Sequence, residues 1–192
     1  MDVFMEYLIK HKRETKDNII IAAIAAAAVL LTIILLIVIL VMGASMATSG
    51  NGAAQFSSLV SGIGLLLVAG VWYGAVKFIN QRNIEYEYIL TNSEIDIDKI
   101  MAKKGRKRIV SFDFKDVEIM ANITDNEHNS EYINVKDGVK VYDLTGNKAN
   151  GNVYFADVAI EGEQVRILMQ PTSKMLESIK KYNPRKIFVK ED

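Results

Sequence analysis

Two stretches of this chain show no polar rhythm. Ile19–Met42 reads "IIIAAIAAAAVLLTIILLIVILVM", with no charge and Thr32 as its only hydroxyl. As a helix it would reach about 36 Å, enough to cross a hydrocarbon core of ~30 Å with some tilt. Leu59–Ile79 reads "LVSGIGLLLVAGVWYGAVKFI". Its one charge, Lys77, sits within a turn of the end and can snorkel to the headgroups. Trp72, Tyr73 and Phe78 gather at the same end, where amphipathic rings favour a membrane interface. Apolar runs of this length without a polar face belong in lipid, where a helix satisfies its own backbone groups. Ser45-Met46-Ala47 has the small residues of a signal-peptidase site, but a signal core is only about 7–15 residues long. A retained anchor is the expectation.

The flanks predict an orientation. Lys10, Lys12, Arg13 and Lys16 precede the first run, Lys77 and Arg82 close the second, and "GASMATSGNGAAQFSS" between them carries no charge. By the positive-inside rule both termini are cytoplasmic at the cell membrane. The predicted segments are a cytoplasmic amphipathic N-terminal segment (1–18), transmembrane helices at 19–42 and 59–79, a short extracytoplasmic loop (43–58), and a cytoplasmic domain (81–192). In the N-terminal segment, Val3, Phe4, Tyr7, Leu8 and His11 share one helical stripe. The stripe suits a short interfacial helix, or a segment packed on the cytoplasmic domain. The spans contain no Asp, Glu, Arg or His, which argues against an ion or proton pathway in this chain alone. Gly70 and Gly74 form a GxxxG spacing, suited to packing the spans together or to homo-oligomer formation.

Past Asn80 the rhythm changes to two. "IEYEYIL" alternates Ile84, Tyr86, Tyr88 and Leu90 with polar positions, as a half-buried strand does. "TNSE" predicts a tight turn and "IDIDKIM" the returning strand, with Asp96 and Asp98 on its solvent face. "RIVSFDF", "VEIMANI", "VKVYDL", "VYFADVAI" and "EQVRILM" complete about seven strands. The last two form a hairpin across Glu161-Gly162, and residues 124–138 read as an irregular connection. "PTSKMLESIKKYNP" predicts a helix capped by Thr172, with Met175, Leu176, Ile179 and Tyr182 as its apolar stripe. Short strands at this spacing predict a sandwich or barrel, and the single amphipathic helix would plug an open mouth.

The pair "YILTNSEIDI" and "KRIVSFDFKDVEIM" behind two spans resembles the bacterial pleckstrin-homology-like domains of small membrane proteins. The opening "MDVFMEYLIKHK" is similar to that of an uncharacterised family of two-span bacterial proteins with such a domain. The resemblance implies a membrane α-helical hairpin of two transmembrane helices, then a mainly-β PH-like barrel with a C-terminal capping helix. It supplies no catalytic residues, because this fold hosts many unrelated roles.

Chemistry is sparse. The chain of 192 residues has zero formal net charge, no cysteine, and two histidines far apart, His11 and His128. That removes disulfides and thiolate sites, and makes a histidine-based catalytic or zinc centre hard to build. "DNEHNSE" fails as a calcium loop, with Ser130 at the glycine position and Lys136 at the bidentate glutamate position. No catalytic residue, cofactor or metal is expected, and the chain does not read as an enzyme. What stands out is "MAKKGRKRIV", in which Lys103, Lys104, Arg106, Lys107 and Arg108 surround Gly105. No aromatics interleave the cluster for stacking on bases, so nucleic acid is not the expected polyanion. Membrane lipids are, since a basic residue at an anionic surface contributes about 1 kcal/mol. The competing reading is a solvated hairpin turn in which Gly105 takes the positive φ. The expected role is non-enzymatic: an interaction domain for protein docking or anionic-lipid sensing. The alternatives are an accessory subunit assembled through its helices, and an enzyme whose site a partner chain completes.

Overall fold

A computed structural model describes residues 3–13, 15–47, 53–135, 138–148 and 152–190. It divides into a helical unit, Arg13–Asn83, and a β unit made of Met1–Lys12 together with Ile84–Asp192.

The helical unit consists of α1 (Thr15–Ala47) and α2 (Ala53–Gln81). Both outrun the apolar windows at 19–42 and 59–79. In 43–58 the good helix formers Ala44, Met46 and Ala47 continue α1, and Ala53, Ala54 and Gln55 open α2; in 1–18, α1 starts at Thr15, with Asp17 in its first turn. Residues 48–52 of the connecting loop lie outside the described residues. Both helices are long and apolar enough to cross a membrane. Only 6% and 11% of their most apolar windows are buried, unlike the core helices of a soluble protein. The hydroxyl of Thr32 donates to the Ala28 carbonyl at 2.8 Å, so it carries no unmet polar demand. On α2 the less exposed positions include Ser61, Gly64, Val68, Val71 and Ala75, spaced three and four apart along one seam, with Val60, Gly74 and Ile79 beside it. Gly64 sits against Ile39, where a Cβ would come within 2.3 Å of the isoleucine side chain.

The β unit opens with a difference from expectation. Of the two readings of the N-terminal stripe, the short helix does not form, and the stretch packs on the β domain instead. Its residues Phe4–Lys10 form strand β1, antiparallel to β2 (Ile84–Thr91), from Phe4↔Thr91 to Lys10↔Glu85. Val3, Met5, Tyr7 and Ile9 pack toward the core, while Phe4 and Leu8 point the other way. With apolar residues at all but Glu6 and Lys10, the heptapeptide fits both periods, and an available ladder on β2 decides for the strand. The β domain is therefore not confined to 81–192. Its first strand precedes both long helices, which are inserted between two adjacent strands.

β3 (Glu94–Met101) and β4 (Gly105–Asp113) complete a first sheet of order β1-β2-β3-β4. A second sheet has the order β5-β7-β8-β6, from β5 (Val117–Asn122), β6 (Lys140–Asp143), β7 (Tyr154–Ile160) and β8 (Glu163–Met169). β6 runs parallel to β8, a pairing that local pattern cannot reveal. The β7–β8 turn falls at Glu161 and Gly162, both with positive φ. A five-residue helix, α3 (Asn129–Ile133), lies in the connection read as irregular. α4 (Ser173–Lys180) is capped by Thr172, whose hydroxyl accepts from the Met175 amide at 3.3 Å. Its Met175, Leu176 and Ile179 enter one core with Tyr88, Phe114, Met120, Tyr154, Ile167 and Met169. The strand ladders join neighbours only within each sheet, so the two sheets do not close into one continuous barrel. Tyr88 ties them across the core. Its hydroxyl donates to the Leu144 carbonyl at 2.8 Å and accepts from the Gln170 amide at 3.1 Å. Burial pushes this phenol well above its ordinary pKa.

Candidate functional site

Register decides where the basic segment sits. Ile84 at the start of β2 faces Met101, and Met101 faces Gly105. Lys10 faces Glu85, and the His11 amide donates to the Ile84 carbonyl at 3.0 Å. The β3–β4 turn therefore lies at the end of the first sheet where the chain leaves β1 and returns into β2. The β2–β3 turn, with Asn92 at φ 55°, is at the other end.

The turn itself differs from the sequence reading. Positive φ falls on Ala102 (53°) and Lys103 (57°), not on Gly105. The Lys104 amide donates to the Met101 carbonyl at 3.1 Å, closing a reversal with both central residues left-handed, the type I′ pattern. A left-handed residue with a Cβ costs roughly 1 kcal/mol. Here the matched twist of the two strands sustains it. The turn follows the third strand of the domain, because β1 precedes β2 and β3.

The five basic residues separate into two groups. Arg106 pairs with Glu87 at 2.9 Å. Arg108 reaches Asp96 at 2.8 Å and Asp98 at 3.2 Å. The carboxylates are recessed: the Asp98 side chain is 7% exposed and that of Glu87 12%. Asp96 and Asp98 are thus not the open solvent face expected of them; the arginines of the neighbouring strand cover them. Lys103, Lys104 and Lys107 have no ion pair among the described residues. Lys107 lies directly opposite Lys99 in the ladder. Like charges so placed repel unless an anion intervenes. Lys99 is the addition that sequence reasoning missed, and only the strand register could have found it. The basic end is therefore four lysines, Lys99, Lys103, Lys104 and Lys107, beside two neutralised arginines.

Around the corner, His11 Nδ1 is 2.8 Å from the Thr145 carbonyl, and its ring meets Tyr86 edge-on. It is a packing residue at the end of a strand, not a member of a helical stripe. Burial raises the Tyr86 phenol pKa, and the nearby charge of Asp143 adds to it. Burial also pushes the Asp143 carboxyl up, but it accepts from Thr145 Oγ1 at 2.7 Å and from the Thr145 amide, and pairs with Lys148. Together these hold it below its ordinary value. Arg166 is buried, with bidentate bonds of 2.6 Å to Asp157 and further bonds to the Tyr132 and Glu131 carbonyls of α3. All its contacts are structural. His128 stacks on Phe188 at 3.9 Å, and among the described residues no group of three acids or histidines is placed to hold a metal. In the helical unit, Gly70 and Gly74 have open space where a Cβ would stand. The contact between the helices passes through Gly64 instead.

The chain belongs to the bacterial PH-like domain family DUF6106, whose family model matches residues 1–189. The match begins ahead of β1 and runs through both long helices and the β unit. No match is found among curated proteins or among solved structures.

Proposed function

We propose that this protein is a non-enzymatic membrane anchor that holds a PH-like β domain at the cytoplasmic face and orients it through a basic hairpin end against anionic lipid. The observation that carries the reading is the register Ile84↔Met101↔Gly105. α2 ends at Gln81, three residues before Ile84. Three residues span at most about 10 Å, and two ladder steps add roughly 10 Å more. So short a tether lets Lys103 and Lys104 reach the headgroups. Four unpaired lysines at such a surface contribute a few kcal/mol in total, at about 1 kcal/mol each. That suffices to bias the orientation of a domain that is already tethered. The spans need supply no pathway and the domain no catalytic group.

Amide hydrogen exchange of the full-length protein tests this in nanodiscs of phosphatidylcholine with and without phosphatidylglycerol. Exchange across residues 101–107 should slow in the anionic discs. The slowing should disappear in Lys103→Glu/Lys104→Glu, and in about 1 M salt, where the screening length is ~3 Å. Equal exchange in both lipids would overturn the reading.

A further inference from the structure

The outer face of the first sheet carries a second surface, independent of the basic turn. Phe4 is 64% exposed and Leu8 50% exposed, both on β1 and on the same side. Between them stands Glu6, which faces Ile89, which faces Asp96. Phe4, Leu8 and Ile89 therefore form an apolar triangle around Glu6 on β1 and β2. The same face bears Glu85 and Glu87 on β2, and Glu94, Asp96 and Asp98 on β3. Arg106 pairs with Glu87, and Arg108 is shared between Asp96 and Asp98, which leaves one negative charge over. Among the described residues no cation lies within ion-pair distance of Glu6, Glu85 or Glu94. One oxygen of Asp96, Oδ1, is buried without a hydrogen-bond partner. The face also carries Lys10, opposite Glu85 in the ladder, and it combines exposed apolar side chains with carboxylates, Glu6 and Glu94, that have no cation beside them.

We infer that this face docks a cationic amphipathic segment of a partner protein, apolar residues on Phe4, Ile89 and Leu8, and Lys or Arg against Glu6 and Glu94. Charge complementarity selects that occupant. Anionic lipid is repelled by the free acids, and a second copy of the face would set like charges against each other. Carboxylates on the face steer a basic partner, and the apolar triangle holds it.

The experiment uses the full-length protein in phosphatidylcholine nanodiscs, with a fluorescent amphipathic Leu/Lys peptide as probe and empty discs subtracted. The peptide should bind, and a Leu/Glu peptide of the same pattern should not. Glu6→Lys/Glu94→Lys and, separately, Phe4→Ser/Leu8→Ser should each weaken binding about tenfold. Circular dichroism checks that each variant keeps the wild-type fold. Lys103→Glu/Lys104→Glu, at the basic turn, should leave peptide binding intact. Unchanged affinity in both face variants would overturn the inference. So would equal binding of the Leu/Glu peptide, or a dimer that the Phe4→Ser/Leu8→Ser change dissolves.

Discussion

At the scale of single residues, the fold depends on polar groups whose partners are far away in sequence. Tyr88 was legible as an inward strand residue, but the second task of its hydroxyl, joining Leu144 to Gln170, was not. Nothing local marks an acceptor 56 residues away. Tyr88→Phe should cost about 1–3 kcal/mol, the penalty for leaving a buried amide and carbonyl unpaired. Denaturant unfolding of the β unit, followed by far-UV circular dichroism in the full-length protein, measures it. Asp143 makes a prediction with a sign. Its folded carboxyl titrates below the ordinary value of 3.8. Its stabilising contribution is therefore complete above that value and is lost as pH falls through the folded pKa. Asp143→Asn should lower stability at neutral pH and flatten the acid limb of the stability profile. Equal acid limbs in the two proteins would contradict the pairing with Thr145 and Lys148. Arg106 and Arg108 teach a related lesson. Five basic residues around one glycine look equivalent in sequence, yet strand alternation and register assign two of them to carboxylates.

At the scale of elements, alternation and apolar length were readable wherever only one period fitted. β2, β3, β7, β8 and α4 follow from their own patterns, and both long helices follow from uninterrupted apolar length. β1 did not, because "FMEYLIK" satisfies a stripe of 3.6 and an alternation of 2 equally well. What settled it was β2, which begins over 70 residues further on. The parallel pairing of β6 with β8 was hidden for the same reason. The glycines of α2 give a clean contrast. Gly64→Ile must displace Ile39 and should destabilise the helical hairpin by about 1–3 kcal/mol, as overpacking does. Gly70→Ile should be tolerated, since no atom stands within 4 Å of its added Cβ. Thermal melting of both variants in detergent separates them. A larger loss for Gly70→Ile would mean that its face is covered by another chain. Gly146 is a similar test of β1, because a Cβ there would lie 2.5 Å from Ile9 and 2.9 Å from the Lys10 carbonyl. Gly146→Val should loosen β1 and speed amide exchange along Phe4–Lys10.

At the scale of the whole molecule, one topological fact organises the rest: two long apolar helices are inserted between neighbouring strands of one sheet. The helices and the β character of residues 84–169 were plain in the sequence. The insertion was hidden, because the strand that completes the sheet lies ahead of the helices. With that strand in place, the basic turn and both chain crossings share one end of the sheet. The β2–β3 turn lies at the far end, about 26 Å away along an eight-residue strand. The most direct test attaches an environment-sensitive fluorophore at Lys103→Cys or Thr91→Cys, in a chain that has no native cysteine. Quenching by headgroup-labelled lipid in anionic nanodiscs should be strong at position 103 and weak at position 91, with the difference collapsing in high salt. Equal quenching at the two positions, or stronger quenching at 91, would contradict the account.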